Sequence, residues 1–299
     1  MTSLSDNMRG ALLMMGAMAA FTLNDACMKA LGEQLPLFQA IFLRGLGTTA
    51  LLLVLARHLG ALRVDLPRRD WALVALRTVA EIGAAYTFIT ALFNMPLANA
   101  TAIIQTIPLA VALAGALFLG EPLGWRRLTA IVVGFAGVLL IVRPGTEGFT
   151  VYSVYALVSV FFVTLRDLAT RRLSRDVPSL TVALAAAAGV ALFGAIGTAG
   201  SDWVPVGPKE GLLLAGATVF VIGGYLCSVM VMRVGDLGLV APFRYTSLLF
   251  ALILGLVVFG DWPEPLALVG AAVVAGSGIY TLLRERHLSR RGIVPLRVR

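Results

Sequence analysis

An internal repeat constrains the fold of this chain more than any other feature. Five residues of the segment 21–36 recur 142 positions later, in the segment 163–178. They are Thr22, Leu23, Asp25, Leu31 and Pro36, which return as Thr164, Leu165, Asp167, Leu173 and Pro178. Two further matches follow in the same order at an offset of 140: segment 77–86 matches 217–226, and Gly120-Glu121 matches Gly260-Asp261. Three ordered matches at a nearly constant spacing indicate two copies of one unit.

Each copy contains apolar runs of the length that crosses a lipid bilayer. Hydrophobic residues make up 59% of the 299 positions and charged residues 13%, against about 25% charged residues in soluble domains. Because about 20 apolar residues cross a bilayer as a helix, the sequence predicts an all-α polytopic membrane protein with ten transmembrane helices. The first run resembles a signal peptide, but its match to the sixth run predicts a retained helix. The predicted spans are 8–31, 36–56, 70–94, 97–118, 126–142, 149–170, 178–199, 210–232, 238–259 and 265–283.

The distribution of basic residues predicts the orientation. If the N-terminus is cytoplasmic, the loops on the other side of the membrane contain only Lys29, Arg143 and Lys209 as basic residues. Positive residues favour the cytoplasmic side, so both termini are predicted to be cytoplasmic. Five spans per copy is an odd number, so the second copy enters from the opposite side as a 5+5 inverted-topology repeat. The predicted domains are 1–145 and 146–284, followed by a basic cytoplasmic tail at 285–299. Inverted repeats place a binding site near the bilayer midplane, which indicates a transporter.

Several motifs are similar to those of a known family. They are the pattern AAFTLNDACMKAL in the first span, Arg44 in FLRGL, the run PLAVALAGALFLGE and the segment GFAGVLLIV. They resemble the EamA-type members of the drug/metabolite transporter superfamily and, within it, the YddG-type amino-acid exporters. The resemblance implies export of aromatic and other largely neutral amino acids across the bacterial inner membrane by alternating access. The second copy departs from the first, with Leu248 at the position of Pro108 and Ala186 at that of Arg44.

Ionisable residues inside the predicted spans need partners or a water-filled cavity, because each costs about 2.5–3.5 kcal/mol at a helix centre. Asp25 and Arg44 are predicted to lie at similar depth and to form a structural ion pair. Three others are predicted to form a cluster or gate on the cytoplasmic side, namely Asp167, Arg77 and Arg244. Glu81 lies nearest the midplane. It is either the partner of the arginine one turn earlier or a carboxylate that meets the substrate ammonium or exchanges a proton.

The predicted substrate site combines polar and aromatic residues of both copies at one depth. A zwitterion with an apolar side chain needs one cation, one or two acceptors and an apolar wall. Each aromatic residue has helix packing as its alternative role, whereas a lone amide in an apolar helix must form a hydrogen bond. The predicted substrate-binding residues are Asn24, Glu81, Tyr86, Gln105, Phe162, Arg166, Tyr225 and Tyr245.

Other classes of protein fit the sequence less well. Cys27 and Cys227 lie within apolar runs, so neither a disulfide framework nor a metal site is predicted, and no cofactor is expected. The basic residues are dispersed among loops, which is not typical of a nucleic-acid surface. An intramembrane enzyme at Ser277 would lack an activating base, since both histidines lie outside the spans. The remaining alternatives are a multidrug or other small-metabolite exporter of the same fold and a non-transporting membrane scaffold.

Small residues four positions apart recur in the fifth and tenth predicted spans. They are Ala130 with Gly134 and Ala272 with Gly276. This spacing lets helices pack closely, so these spans are predicted to be peripheral struts or a weak dimer face. The predicted partners are therefore a small-molecule substrate and the lipid bilayer, with the chain as a monomer or weak homodimer.

Overall fold

The computed structural model describes residues 6–60, 65–120, 124–143, 150–174, 176–200, 202–231 and 240–290. Within these ranges it contains eleven α-helices, one 3-10 helix and no β-strand. The first half contains α1 (Asp6–Leu31), α2 (Leu37–His58), α3 (Arg68–Asn94), α4 (Leu97–Ile104), α5 (Ile107–Leu119) and α6 (Trp125–Val142). The second half contains α7 (Val151–Arg171), α8 (Ser179–Thr198), α9 (Pro208–Val231), the 3-10 helix Ala241–Tyr245, α10 (Thr246–Phe259) and α11 (Pro265–Arg290).

These elements form ten spans that are long and apolar enough to cross a membrane, which confirms the predicted fold class. Proline precedes the first residue of several helices, for example Pro67 before α3, because its fixed φ angle and missing N–H suit a helix start. Helices α5 and α10 end at Gly120 and Gly260, whose φ angles of +65° and +69° favour glycine. Positions 121 and 291–299, which include most of the predicted basic tail, lie outside the described residues.

The fourth and ninth spans differ from the prediction because each is broken near its middle. The fourth span, predicted as one helix, consists of α4 and α5 with a turn at Gln105 and Thr106. Pro108 lacks the N–H that would bond the carbonyl four residues earlier, which explains this break. In the ninth span the 3-10 helix precedes α10 and contains Pro242. The two breaks are equivalent, since Gln105 and Tyr245 lie 140 positions apart.

The two halves of the chain pack as quasi-equivalent pairs of helices. The most extensive contacts join α1 with α9, α3 with α7, α2 with α8, and α6 with α11. Helices α7 and α9 are the counterparts of α1 and α3 in the second half, so the pair α1 with α9 is equivalent to the pair α7 with α3. A Cβ atom at Gly47 would lie 2.9 Å from Thr218, and one at Gly189 would lie 2.3 Å from Thr78. Gly189 follows Gly47 by 142 positions and Thr218 follows Thr78 by 140, so the same close contact recurs in both halves.

Contacts between helix ends show that the second half is inverted. Arg69 at the start of α3 donates to the carbonyl of Arg172 just after α7. At the opposite end of the bundle, the buried amide of Gln39 exchanges two hydrogen bonds with the backbone of Val204 in the loop after α8. We call the end that carries Arg69, Arg126 and Arg172 the basic face, and the opposite end the far face. Helix α1 therefore runs from the basic to the far face, whereas its counterpart α7 runs the other way.

Helices α6 and α11 use glycine to pack against each other. A Cβ atom at Gly137 would lie 2.9 Å from the carbonyl oxygen of Gly270, and the reciprocal distance would be 2.6 Å. Ala130 and Gly134 are buried within the bundle, whereas the small-residue stripe of α11 at 272–276 has exposed ends. The predicted dimer face on α6 is therefore corrected, because its small residues join the two repeats of one chain.

Candidate functional site

A group of charged side chains lies within the spans, between α3 and α7. We call Arg77, Glu81, Arg166 and Asp167 the charge cluster. Nη1 of Arg166 lies 3.4 Å from both carboxylate oxygens of Glu81, and Nη2 of Arg77 lies 3.7 Å from Oε2 of Glu81. Nε of Arg166 donates to Oδ1 of Asp167 at 3.0 Å, and Nε of Arg77 donates to the hydroxyl of Thr170 at 3.1 Å. Glu81 therefore lies between two arginines.

The charge cluster is neutral as a whole and is partly accessible to solvent. Between 16% and 36% of each of its four side chains is exposed. Charges inside a membrane protein face polar cavities rather than lipid because of their transfer cost, so the exposed portions indicate a polar cavity beside α3 and α7. The 3.4 Å separation between Arg166 and Glu81 exceeds the 2.7–2.9 Å that is usual for a charge-assisted hydrogen bond. Arg166 can therefore accept a further anionic contact.

An aromatic group lies on the far-face side of the charge cluster. We call Phe38, Tyr86, Tyr155 and Phe193 the aromatic cluster. The ring of Tyr86 stacks on Phe38 at a centroid distance of 5.8 Å and meets Tyr155 and Phe193 edge-on at 6.2 and 5.9 Å. These four rings come from α2, α3, α7 and α8, so they join both repeats. Tyr86 follows Glu81 by five residues, a rise of about 7.5 Å along α3.

Phe162 separates the two clusters along the contact between α3 and α7. A Cβ atom at Gly83 would lie 2.7 Å from the ring of Phe162. The absence of a side chain at Gly83 therefore lets the ring lie on the backbone of α3. Phe162, predicted as a substrate contact, has a packing role here and lies between the predicted contacts Glu81 and Tyr86.

Asn24, Asp25 and Arg44 form a second polar group, between α1 and α2. Nη1 of Arg44 donates to Oδ1 of Asn24 at 3.3 Å, and Nδ2 of Asn24 donates to Oδ1 of Asp25 at 2.8 Å. In the part of the chain that the structure describes, this relay replaces the predicted direct ion pair. Consecutive residues point about 100° apart on a helix. Asn24 and Asp25 therefore lie at similar depth but point in different directions, and Asn24 is the one that contacts Arg44. Arg44 lies in the neighbourhood of Glu81, so the relay is near the charge cluster.

Gln105, Arg244 and Tyr245 lie at the joint between the two broken spans. Nε2 of Gln105 donates to the carbonyl of Arg244 at 2.8 Å, and the hydroxyl of Tyr245 lies over Gly278 of α11. Gln105 thus forms the hydrogen bond that its apolar setting predicts, but with backbone. No ion pair joins Arg244 to Asp167 within the described ranges, which corrects the predicted cluster of three charges. The turn at the break directs the backbone of Arg244 towards the fourth span.

Tyr225 of α9 lies in the neighbourhood of Arg77, so a third helix borders the charge cluster. Phe38, Tyr155 and Phe193 were not predicted from the sequence, because aromatic residues near helix ends usually form the interfacial belt. Thr170 was also missed, although its position one turn after Arg166 is a signal that spacing alone could have supplied.

Comparison with known proteins identifies the family. The profile of the EamA-like transporter family matches the chain at residues 8–143 and again at 151–283. The chain belongs to this family. Each match covers five spans, in agreement with the repeat in the sequence. Membership of the EamA family and the ten apolar helices make the chain a multi-pass membrane protein and support solute transport rather than catalysis.

Proteins that are similar to this chain are named for different solutes. The pseudopaline exporter CntI of Pseudomonas aeruginosa is 30% identical, covering 89% of this chain and 93% of that protein. A riboflavin transporter of Vibrio cholerae is 28% identical over 71% of this chain and 72% of that protein. An S-adenosylmethionine uptake transporter of Rickettsia bellii is 22% identical over 90% and 92%. One solved crystal structure superposes with a TM-score of 0.66 at 20% identity, over 93% of this chain and 98% of that chain, which shows the shared fold.

Proposed function

We propose that this EamA transporter exports amino acids, chiefly aromatic and other largely neutral ones, across the bacterial inner membrane. Transport proceeds by alternating access around a midplane cavity between the inverted repeats. The observation that carries the proposal is the neutral charge cluster beside the aromatic cluster. A solute with no net charge enters such a cavity without leaving an unbalanced charge in the membrane.

An amino acid matches the two clusters group by group. Its carboxylate fits Arg166, whose contact with Glu81 is long at 3.4 Å, and its ammonium fits Glu81. The rise of about 7.5 Å from Glu81 to Tyr86 is comparable with the reach of an aromatic side chain. Ring pairs with Tyr86 would then select for aromatic substrates, because edge-on and stacked pairs add about 0.5–1.5 kcal/mol each.

Two alternatives differ from this proposal in their cargo. A lipophilic cationic drug fits less well, because it has no carboxylate to offset the two guanidinium groups that lie within 4 Å of Glu81. Another small metabolite is favoured by the names of the relatives, which transport pseudopaline, riboflavin and S-adenosylmethionine. A non-transporting scaffold would have no use for partly exposed charges inside its spans.

Uptake into inside-out vesicles tests the proposal directly. Vesicles that contain the protein are expected to accumulate labelled phenylalanine and tryptophan above vesicles without it, and the comparison is made with and without a proton gradient. If amino acids fail but riboflavin or another small metabolite is carried, the amino-acid proposal is wrong and the metabolite alternative holds. If no solute moves in either direction, the scaffold alternative replaces transport.

A further inference from the structure

A second concave site lies away from the charge cluster, between α6 and α11 near the basic face. It is a groove of about 330 Å³ lined by Trp125, Arg126, Thr129, Ala130, Val133, Ser277 and Tyr280. One water molecule takes up about 30 Å³ in the liquid, so the groove has room for an organic group. It opens on the outer surface of the bundle, because Trp125 and Tyr280 are 72% and 46% exposed.

The groove contains a positive charge without an acidic partner. The guanidinium of Arg126 lies 5.2 Å from the ring centroid of Trp125, and it makes no ion pair with any residue that the structure describes. At the far-face end of the same helix pair, Arg143 after α6 pairs with Glu264 before α11. Among the described residues, Arg143 at the far-face end of this helix pair therefore has an acidic partner and Arg126 at the other end has none.

Apolar side chains line the groove on α6 below Arg126, and the hydroxyl groups of Thr129 and Ser277 in its lining donate to carbonyls of their own helices. Arg126 lies in the first turn of α6, at the level where lipid head groups meet the helix ends. Ala130 and Val133 follow it one and two turns deeper. An occupant therefore needs an anionic end at the surface and an apolar chain below it.

We propose that this groove binds an anionic glycerophospholipid. Its phosphate would contact Arg126, since a guanidinium forms paired hydrogen bonds with phosphate oxygens, and the ring of Trp125 would hold the guanidinium in place. One acyl chain would lie along Ala130 and Val133. Basic pockets between transmembrane helices on the cytoplasmic side commonly take anionic head groups, and the predicted orientation places the basic face there.

The bound lipid would stabilise the contact between the two repeats. Helices α6 and α11 meet through Gly137 and Gly270, and the groove lies along the same helix pair. A lipid that fills it would contact both helices at once. We therefore expect phosphatidylglycerol, which is anionic, to raise the thermal stability of the purified protein more than zwitterionic phosphatidylcholine does.

Native mass spectrometry of the purified full chain, with phosphatidylglycerol or phosphatidylcholine added, tests the site. Arg126→Gln is expected to lower the apparent affinity for phosphatidylglycerol about fivefold, the ratio that matches about 1 kcal/mol per arginine at an anionic surface. Arg68→Gln is the control, because Arg68 is exposed at the basic face but lies outside the groove. Trp125→Ala, also at an exposed position, is expected to weaken binding in the same direction as Arg126→Gln.

Three results would overturn the lipid site. Equal losses in the Arg126 and Arg68 variants would mean general attraction to a basic surface. Equal binding of phosphatidylglycerol and phosphatidylcholine to the unmodified chain would mean that only the apolar wall matters. A dimer that forms without added lipid and that Trp125→Ala disrupts would make a second copy of the chain the occupant.

Discussion

Replacement of Glu81 by glutamine tests the centre of the charge cluster. Within the described residues, Glu81 is the acid that contacts both Arg77 and Arg166, at 3.7 and 3.4 Å. Each contact is worth about 4–5 kcal/mol of Coulomb energy at an effective dielectric constant near 20, before the cost of removing the charges from water is subtracted. Breaking a buried pair costs about 3–5 kcal/mol net, and the 27% exposure of Glu81 favours the lower end. We expect Glu81→Gln to destabilise the protein by about 3 kcal/mol.

The same change is expected to weaken substrate binding. Loss of a hydrogen bond to a charged group costs about 1.5–3 kcal/mol, so KM for phenylalanine should rise about 10- to 150-fold. Asp167→Asn is the matched control, because Asp167 contacts Arg166 but is not paired with Arg77. It is expected to change KM by only a few-fold.

Counterflow of labelled phenylalanine in proteoliposomes measures KM, and thermal unfolding of the purified variants measures stability. Glu81→Gln with an unchanged KM would refute the role of Glu81 in recognising the ammonium group. An unchanged unfolding midpoint would refute the calculated ion-pair contribution. If the pH dependence of transport is also unchanged in this variant, Glu81 does not exchange a proton during the cycle.

Three further predictions follow from close contacts and topology. Gly83→Ala should destabilise the protein by about 1–3 kcal/mol, because the added Cβ atom overpacks the contact between α3 and α7. Gly223→Ala, where a Cβ atom meets nothing within 4 Å, should change stability by under about 0.5 kcal/mol in the same unfolding assay. Tyr86→Ala should raise KM for phenylalanine about tenfold while KM for alanine stays nearly constant, and Tyr86→Phe should preserve both; an equal rise for both amino acids would contradict aromatic selection. Cysteines at Arg69 and Arg172 should react with a membrane-impermeant reagent from the same side, and labelling from opposite sides would contradict the inverted repeat.

Span number and inversion could be predicted because they depend on quantities that a sequence carries directly, namely apolar length and the position of repeated residues. The rotation of each helix about its own axis, which decides which side chains face a neighbouring helix, cannot be read from the sequence so directly. Asp25 and Arg44 were predicted to pair because they lie at similar depth. Asn24, and not Asp25, faces Arg44 of α2, so Asn24 bridges the two charged side chains. Neither helix break was predicted, since the fourth and ninth spans were each expected to be one helix. Pro108 follows the first break and Pro242 precedes the second, so the position of a proline does not by itself locate the break.

The aromatic cluster could not be predicted because no single segment contains it. Its rings come from four helices, and Phe38 and Tyr155 each lie within the first two turns of a helix. At such positions an aromatic residue usually marks the membrane interface. Only the packing of α2 against α8 and of α3 against α7 brings the four rings together. By contrast, the pair of Arg77 with Glu81 was predictable, because their spacing of four residues makes them neighbours on any helix.

The two repeats share their packing but not their charged residues, and this difference supports the proposed location of the site. In the pair α3 and α7, Phe162 covers Gly83, and in the equivalent pair α1 and α9, Phe21 covers Gly224. Phe21 and Gly224 each lie one position after the residue that the offsets of 142 and 140 make equivalent. Both helix pairs therefore pack a phenylalanine ring on a glycine, one residue apart in register. The charge cluster, however, lies on α3 and α7, and Val221 stands in α9 where the second repeat would place its carboxylate. Duplication thus accounts for the shared kind of helix contact, whereas the charges that carry the proposed binding belong to one pair alone. Changes at Phe21 should then affect all substrates alike, while changes along α3 and α7 should alter their ranking.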